Sequence, residues 1–429
     1  VVGRFSVGRR LELLGRAPSF LRLFLATLGS GLGTWLAYVA LTVDVFDRTD
    51  SGSWVAALLI ADFLPIVVVG FLLGPLVDRL SRRRLMIASD LVRFGVFCVL
   101  PFAGSAAMIV GLAAVAGLAT GLFRPALYAG VPNLVDEQDL PSANSLLQSV
   151  ENLTWALAPL IGGVLVAVSS PDFAYGVNAV TFLVSAALLA RIPHRLLQAA
   201  RAESRGHLRD LVDGATLVVR SAALLAVLVT WNLFMFASAG VNVAEIVLAE
   251  VSFDSGAFGF GLLVGATGVG LVFGSFVAGS WLERWALPNV YGTAIALTAL
   301  GIGGAAIAPS VWVAAAFVVI LGFGNGAAVV CNALLVQRAV PDHVRGRAFT
   351  VIMSSNYALL GLGMVAAGPL TDLLGPRWVW GGAALVAALA AVLGFTLTRR
   401  AGTHAQPPPE PLVEPRQRPP LALPTEPVA

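Results

Sequence analysis

Long apolar runs follow one another along most of the chain, and the charged residues collect in the gaps between them. A hydrocarbon core about 30 Å thick is crossed by about 20 helical residues. Windows of that length fall at 20–43, 54–76, 85–104, 106–128, 143–168 and 172–191. A polar stretch follows, and then six more windows lie at 222–247, 257–282, 288–308, 311–335, 346–372 and 377–397. We number these spans one to twelve. Span three is divided from span four only by a short break at Gly104-Ser105. Lipid offers backbone amides no water to bond, so runs of this length form helices. The pattern predicts an all-α membrane protein with twelve transmembrane helices, the first long enough to remain as an anchor rather than be cleaved.

Composition agrees. The chain has 429 residues, 58% of them hydrophobic and only 12% charged, with a mean hydropathy of +0.86. Ordinary soluble domains carry roughly 25% charged residues. All 27 basic residues are Arg and are dispersed among loops, so the net charge of +3 does not point to nucleic acid. Cys98 and Cys331 fall inside apolar runs and read as small buried hydrophobes. His194, His207, His343 and His404 are too scattered for a metal site, and no cofactor is expected.

Arginine gives the orientation, because Arg-rich short loops stay in the cytoplasm. With the N-terminus inside, cytoplasmic segments hold Arg4, Arg9, Arg10 and Arg16, Arg79 and Arg82 to Arg84, and Arg191, Arg195, Arg201, Arg205 and Arg209. Arg284, Arg338, Arg345, Arg347, Arg399 and Arg400 continue the series, whereas the outer loops hold only Arg48 and Arg377. The expectation is a multi-pass protein of the cytoplasmic membrane, monomeric, with both termini inside.

The stretch 192–221 divides the chain. Within it Leu208, Leu211, Ala215 and Val218 recur at helical spacing with Arg209, Asp210 and Asp213 off the stripe, which predicts an amphipathic helix on the inner membrane surface. The tail holds Pro407, Pro408, Pro409, Pro411 and Pro415 without an apolar period and is expected to be disordered. The organisation is therefore a cytoplasmic segment at 1–19, a six-helix bundle at 20–191, a linker at 192–221, a second bundle at 222–400 and a tail at 401–429.

The halves repeat at an offset of 205 residues. Gly74-Pro-Leu-Val-Asp78-Arg79 closing span two falls on Gly279-Ser-Trp-Leu-Glu283-Arg284 closing span eight, and Gly162-Gly163 falls on Ala367-Gly368. Two six-helix halves related along the membrane normal resemble the major facilitator transporters.

Local motifs carry the same resemblance. Gly74-Pro75-Leu76-Val77-Asp78-Arg79-Leu80-Ser81-Arg82-Arg83-Arg84 is similar to that superfamily's Gly-x-Leu-x-Asp-Arg-x-Gly-Arg-Arg signature, with Ser81 at the expected Gly. Phe123-Arg124-Pro125-Ala126, Leu140-Pro-Ser-Ala143-Asn144 and Ala158-Pro159-Leu-Ile-Gly162-Gly163 resemble the branch of macrolide-efflux and enterobactin-exporter proteins. Ser89-Asp90-Leu-Val-Arg93 and Val340-Pro-Asp-His-Val-Arg345-Gly346-Arg347 add to it, so the resemblance spans 18–397. It implies alternating-access export of a small amphiphilic compound (a drug, macrolide or siderophore-like molecule) with protons as the coupling ion. One departure stands out: many drug–proton antiporters carry Arg-x-x-Gln-Gly early in span four, where this chain reads Gly111-Leu-Ala-Ala-Val-Ala-Gly117.

The resemblance also assigns candidate roles. Gly74, Asp78, Arg79 and Arg83, with Glu283 and Arg284 in the second half, correspond to a conformational switch between spans. Asp90, Arg93 and Arg124 are expected at similar shallow depth as a charge network behind the inner gate. Pro159, Gly162 and Gly163 let span five bend and pack closely, in a motif that marks exporters. Ionisable groups within spans are functional hypotheses by default. Glu151, Asp62 and, more weakly, Glu245 lack an opposite charge on their own helix and are the proton-coupling candidates. The superfamily lines its cavity mainly with spans one, four, seven and ten, which nominates Trp35, Tyr38, Trp231, Asn232, Asn325 and Asn332.

Competing readings are an uptake carrier, a lysophospholipid flippase and a membrane-embedded, metal-dependent lipid-transferring enzyme. The enzyme reading rests on Asn133-Leu-Val-Asp136-Glu137-Gln-Asp139, whose acids otherwise suit a helix N-terminus. A chain without Lys has no Gly-x-x-x-x-Gly-Lys-[Ser/Thr] loop for nucleotide-driven pumping.

Overall fold

Twelve helices long and apolar enough to cross a bilayer emerge among the described residues of the computed structural model. It describes residues 7–72, 80–197, 216, 218–219, 221–339 and 342–403. Gly74, Asp78, Arg79, nearly all of the stretch expected as an amphipathic helix and the tail from 404 lie outside the described residues.

A short helix, Val7–Arg16, leads into span one at Pro18–Thr49. Spans two to six occupy Gly52–Leu72, Arg82–Val99, Ala106–Gly130, Leu140–Val168 and Pro171–Ala190. Spans seven to twelve occupy Ala222–Val247, Gly256–Arg284, Leu287–Ala306, Val311–Ala339, Asp342–Leu374 and Pro376–Thr403. Each predicted window has a helix among the described residues, and several helices outrun their windows; residues 73–76 of the second window lie outside the described residues. Span twelve continues to Thr403, three residues into the segment expected as tail.

Local chemistry sets the ends. Ser105, Ser170 and Ser221 cap their helices by accepting hydrogen bonds from the backbone N–H of Met108, Phe173 and Leu224. The Gly104-Ser105 break expected between spans three and four is thus a 3-10 turn, Leu100–Phe102, followed by a serine cap. Proline stands in the first turn of spans one, five, six, nine and twelve, where no N–H is needed. Gly375 closes the turn between spans eleven and twelve with φ 86, a conformation that costs glycine little. The acids at 136–139 lead into span five through a 3-10 turn, Glu137–Asp139.

The two arginines that break the charge bias have local partners. Arg48 pairs with Asp44 at 2.6 Å and donates to the Ala103 carbonyl at 2.8 Å. Arg377 donates to the Ala306 and Ala308 carbonyls, each at 2.9 Å. Both satisfy carbonyls that a helix end leaves open.

The halves meet along two helix pairs, span five on span eight and span two on span eleven. Glycine makes both contacts close. A Cβ on Gly163 would come within 2.7 Å of the Ala257 carbonyl and 2.9 Å of Gly261 Cα. A Cβ on Gly368 would come within 2.8 Å of Ser53 Cα. Gly163 and Gly368 are the residues that the 205-residue repeat superimposes. The repeat therefore places matching small residues at the two crossings where the halves touch.

Candidate functional site

Between the halves lies a cavity of about 1480 Å³. Its walls come from spans one to eleven, more widely than the expected four. At the end bearing Asp50 and Gly375, span eleven reaches across to span two. Asp372 accepts hydrogen bonds from the backbone N–H groups of Gly52 at 2.5 Å and Ser53 at 3.2 Å, and from the hydroxyls of Ser51 at 3.0 Å and Ser53 at 2.5 Å. A carboxylate of one half thus caps a helix of the other. Together with the Gly163 crossing, this brings the halves together at that end. Toward the arginine-rich end the lining extends to Arg124, whose side chain is 55% exposed.

Of the nominated wall residues, Trp35, Tyr38 and Asn325 line the cavity. Trp231, Asn232 and Asn332 do not, which corrects that expectation. Trp231 packs on Phe234 with the rings tilted, 4.9 Å between centroids, in a core shared with Tyr291 and Cys331. Asn332 is buried beyond the lining stretch of span ten, and Asn232 precedes Phe234, where the lining of span seven begins. Several wall residues were not anticipated. Trp155 lies 6.1 Å from Trp35, and Phe63 meets Tyr357 edge-on at 5.0 Å across the two halves. Trp155 follows Glu151 by one helical turn, a spacing that shows in the sequence.

The expected network of Asp90, Arg93 and Arg124 divides in two. Asp90 and Arg93 pair with each other at 2.5 Å, fully buried, and Ser185 donates to the second Asp90 oxygen at 2.7 Å. The Arg93 guanidinium lies 4.3 Å from the Phe182 ring centroid and 4.7 Å from that of Phe123. Arg124 instead pairs with Glu151 at 3.1 Å, and the Tyr128 hydroxyl donates to the same oxygen at 2.8 Å. Glu151 therefore has an opposite charge on the neighbouring helix, 27 positions away in sequence, which its own span could not reveal.

Asp62 and Glu245 differ from it. Asp62 lines the cavity with no ion pair among the described residues, although Arg93 lies within electrostatic reach. Glu245 also lines the cavity, is only 5% exposed, and its Oε1 has no hydrogen-bond partner among the described residues. Tyr38 stands within electrostatic reach of both acids. A π-helical turn, Leu248–Ser252, begins three residues after Glu245. Such turns are frequent at functional sites.

The remaining candidates lie at the arginine-rich end or at helix crossings. Arg83 donates to the Leu189 carbonyl at 3.3 Å and to that of Ala190, and Arg82 donates to the Ala129 carbonyl at 2.7 Å. These bonds tie helix ends within the first half. Glu283 and Arg284 are exposed at the end of span eight. Gly162 packs on Leu36 of span one, and the Pro159 carbonyl faces Gly261.

Twelve spans among the described residues, in two halves around a large central cavity and joined at one end, define a multi-pass membrane protein of the major facilitator fold. Sequence comparison agrees: the chain belongs to the transmembrane secretion effector family, whose profile matches residues 15–422. The multidrug efflux pump Tap of Mycolicibacterium fortuitum is 28% identical over 389 residues, covering 84% of this chain and 90% of its own. An uncharacterized transporter of the same superfamily, YfiS of Bacillus subtilis (strain 168), is 26% identical, covering 81% and 85%. Macrolide efflux protein A of Enterococcus faecalis is 26% identical over 227 residues, covering 48% of this chain and 70% of its own. Among solved structures, an inward-facing, unoccupied bacterial homolog of the human lysosomal transporter Spinster superposes with a TM-score of 0.73 at 13% identity, covering 92% of this chain and 99% of that one. The chain is a transporter and not an enzyme.

Proposed function

We propose that this protein exports a small amphiphilic compound across the cytoplasmic membrane by alternating access, in exchange for protons. The observation that carries the reading is the cavity: about 1480 Å³, walled by aromatic and amide side chains, with acids inside it and the halves joined at one end. Sites for bulky ligands have this make-up, apolar walls with a few placed polar groups. The efflux relatives support the direction.

Arginine placement supports termini in the cytoplasm, so the joined end is the outer one and this state is open to the inside. Export then requires the outer contacts at Asp372 and Gly163 to part while the arginine-rich end closes. The Gly74–Arg84 segment is the latch of that closed inner end by resemblance. A proton biases the cycle only if it binds one state more tightly than the other. Glu245 and Asp62 suit that role better than Glu151, because Glu151 is already paired with Arg124.

The test is expression in an efflux-deficient host challenged with antibiotics, dyes and siderophores, repeated with the proton gradient collapsed. Reduced accumulation that returns to control levels on collapse is expected. Increased accumulation of any compound would reverse the direction to uptake, and reduction that survives collapse would remove the proton.

A further inference from the structure

The carboxyls of the spans differ in what answers them. Asp44 has Arg48 and the Tyr175 hydroxyl, the latter at 2.9 Å. Asp90 has Arg93 and Ser185, and Glu151 has Arg124 and Tyr128. Asp62 has Arg93 within reach. Glu245 alone among these five has no basic partner among the described residues, and one of its oxygens is buried without a hydrogen bond. Burying an unanswered carboxylate is costly, so such a group waits for a positive partner or a proton.

Both arginines in the described cavity wall are committed to acids, Arg93 to Asp90 and Arg124 to Glu151, which leaves no unpaired guanidinium among the described wall residues to receive an anion. Facing the acids is an aromatic wall. Tyr38, within electrostatic reach of Glu245, meets Trp35 edge-on at 5.6 Å, and Trp35 meets Trp155 at 6.1 Å. Aromatic faces hold organic cations by their quadrupole as well as by burial.

Resting on the export reading above, we propose that the cargo carries a positive charge, as a bulky organic cation or protonated amine, and that Glu245 is its counter-charge. The ring wall of Trp35, Tyr38 and Trp155 takes the apolar body. Cargo and proton then occupy the same carboxyl in turn: a proton arriving at Glu245 neutralises it and releases the cation, and its departure restores the site.

Tetraphenylphosphonium and tetraphenylborate have nearly the same shape and opposite charge. Binding of each to the purified full-length protein is read by quenching of tryptophan fluorescence, and movement of the cation by efflux from proteoliposomes. The cation should bind about tenfold or more tightly than the anion, and Glu245→Gln should weaken it by about tenfold, as expected for the loss of an opposite charge close to the cation. Glu245→Asp should keep most of the affinity. Equal binding of the two ions, or a folded Glu245→Gln variant that binds the cation like the parent, would overturn the assignment. If Glu245→Gln fails to fold, the cation–anion comparison on the parent decides. A cation that binds through Glu245 but is not moved would uphold the counter-charge and remove export. A protein that moves amphiphiles without regard to charge would uphold export and remove the counter-charge.

Discussion

The carboxylate of Asp372, at the end of span eleven, accepts a hydrogen bond of 2.5 Å from the backbone N–H of Gly52, at the start of span two. The two residues belong to opposite halves, 320 positions apart. An N-cap within a helix stabilises that helix; this one, spanning the interface, stabilises the joined state. Replacing such a cap costs about 1 kcal/mol, a several-fold shift in a two-state equilibrium. Asp372→Ala should therefore open this end more often. Spin labels at Phe102→Cys and Trp312→Cys, both on exposed positions near that end in opposite halves, would show a longer distance gaining population, with Cys98 and Cys331 replaced. An unchanged distribution would mean the cap does not hold the halves.

The span-five and span-eight crossing depends on the absence of side chains. Gly163→Val would drive its Cβ against the Ala257 carbonyl and Gly261, and overpacking of this kind costs roughly 1–3 kcal/mol. The variant should insert normally but lose transport, because the joined state is disfavoured. Gly176→Ala meets nothing within 4 Å and is the control. Normal efflux by Gly163→Val would show that the close approach is dispensable.

The Asp90 and Arg93 pair is buried within the first half. Removing one partner leaves a buried charge unanswered, at a cost of roughly 3–5 kcal/mol. Asp90→Asn should lower the melting temperature of the purified protein markedly, whereas Asp90→Asn combined with Arg93→Met should recover part of the loss. Equal melting of parent and single variant would mean that the pair contributes no stability.

The Arg124 and Glu151 pair offers a contrast, since Arg124 is half in solvent. Exposed pairs contribute about 0–1 kcal/mol, so Glu151→Gln should barely change melting. A large loss of stability would assign the pair a structural role that its exposure does not suggest.

Much of this architecture was legible in the chain. The twelve spans follow from the length of the apolar runs, and the repeat pointed to Gly163 and Gly368 before their packing was visible. The cavity was harder to read. Span ten is apolar around its whole circumference, so nothing marked Asn325 as facing inward and Asn332 as buried in the core. None of the three candidate acids has a cation on its own helix, and only depth in the span sets Glu245 below Glu151. Their partners depend on neighbouring helices: Arg124 answers Glu151 from span four, and nothing among the described residues answers Glu245. Asp372 escaped notice because a lone acid at a helix end looks like any solvated residue until its cap is seen.

Inverted membrane vesicles carrying the protein test the whole account most directly. With an inward-acid gradient imposed, a cationic amphiphile added outside should accumulate in the lumen, and collapse of the gradient should abolish the accumulation. Accumulation only in right-side-out vesicles, or accumulation indifferent to the gradient, would contradict proton-driven export.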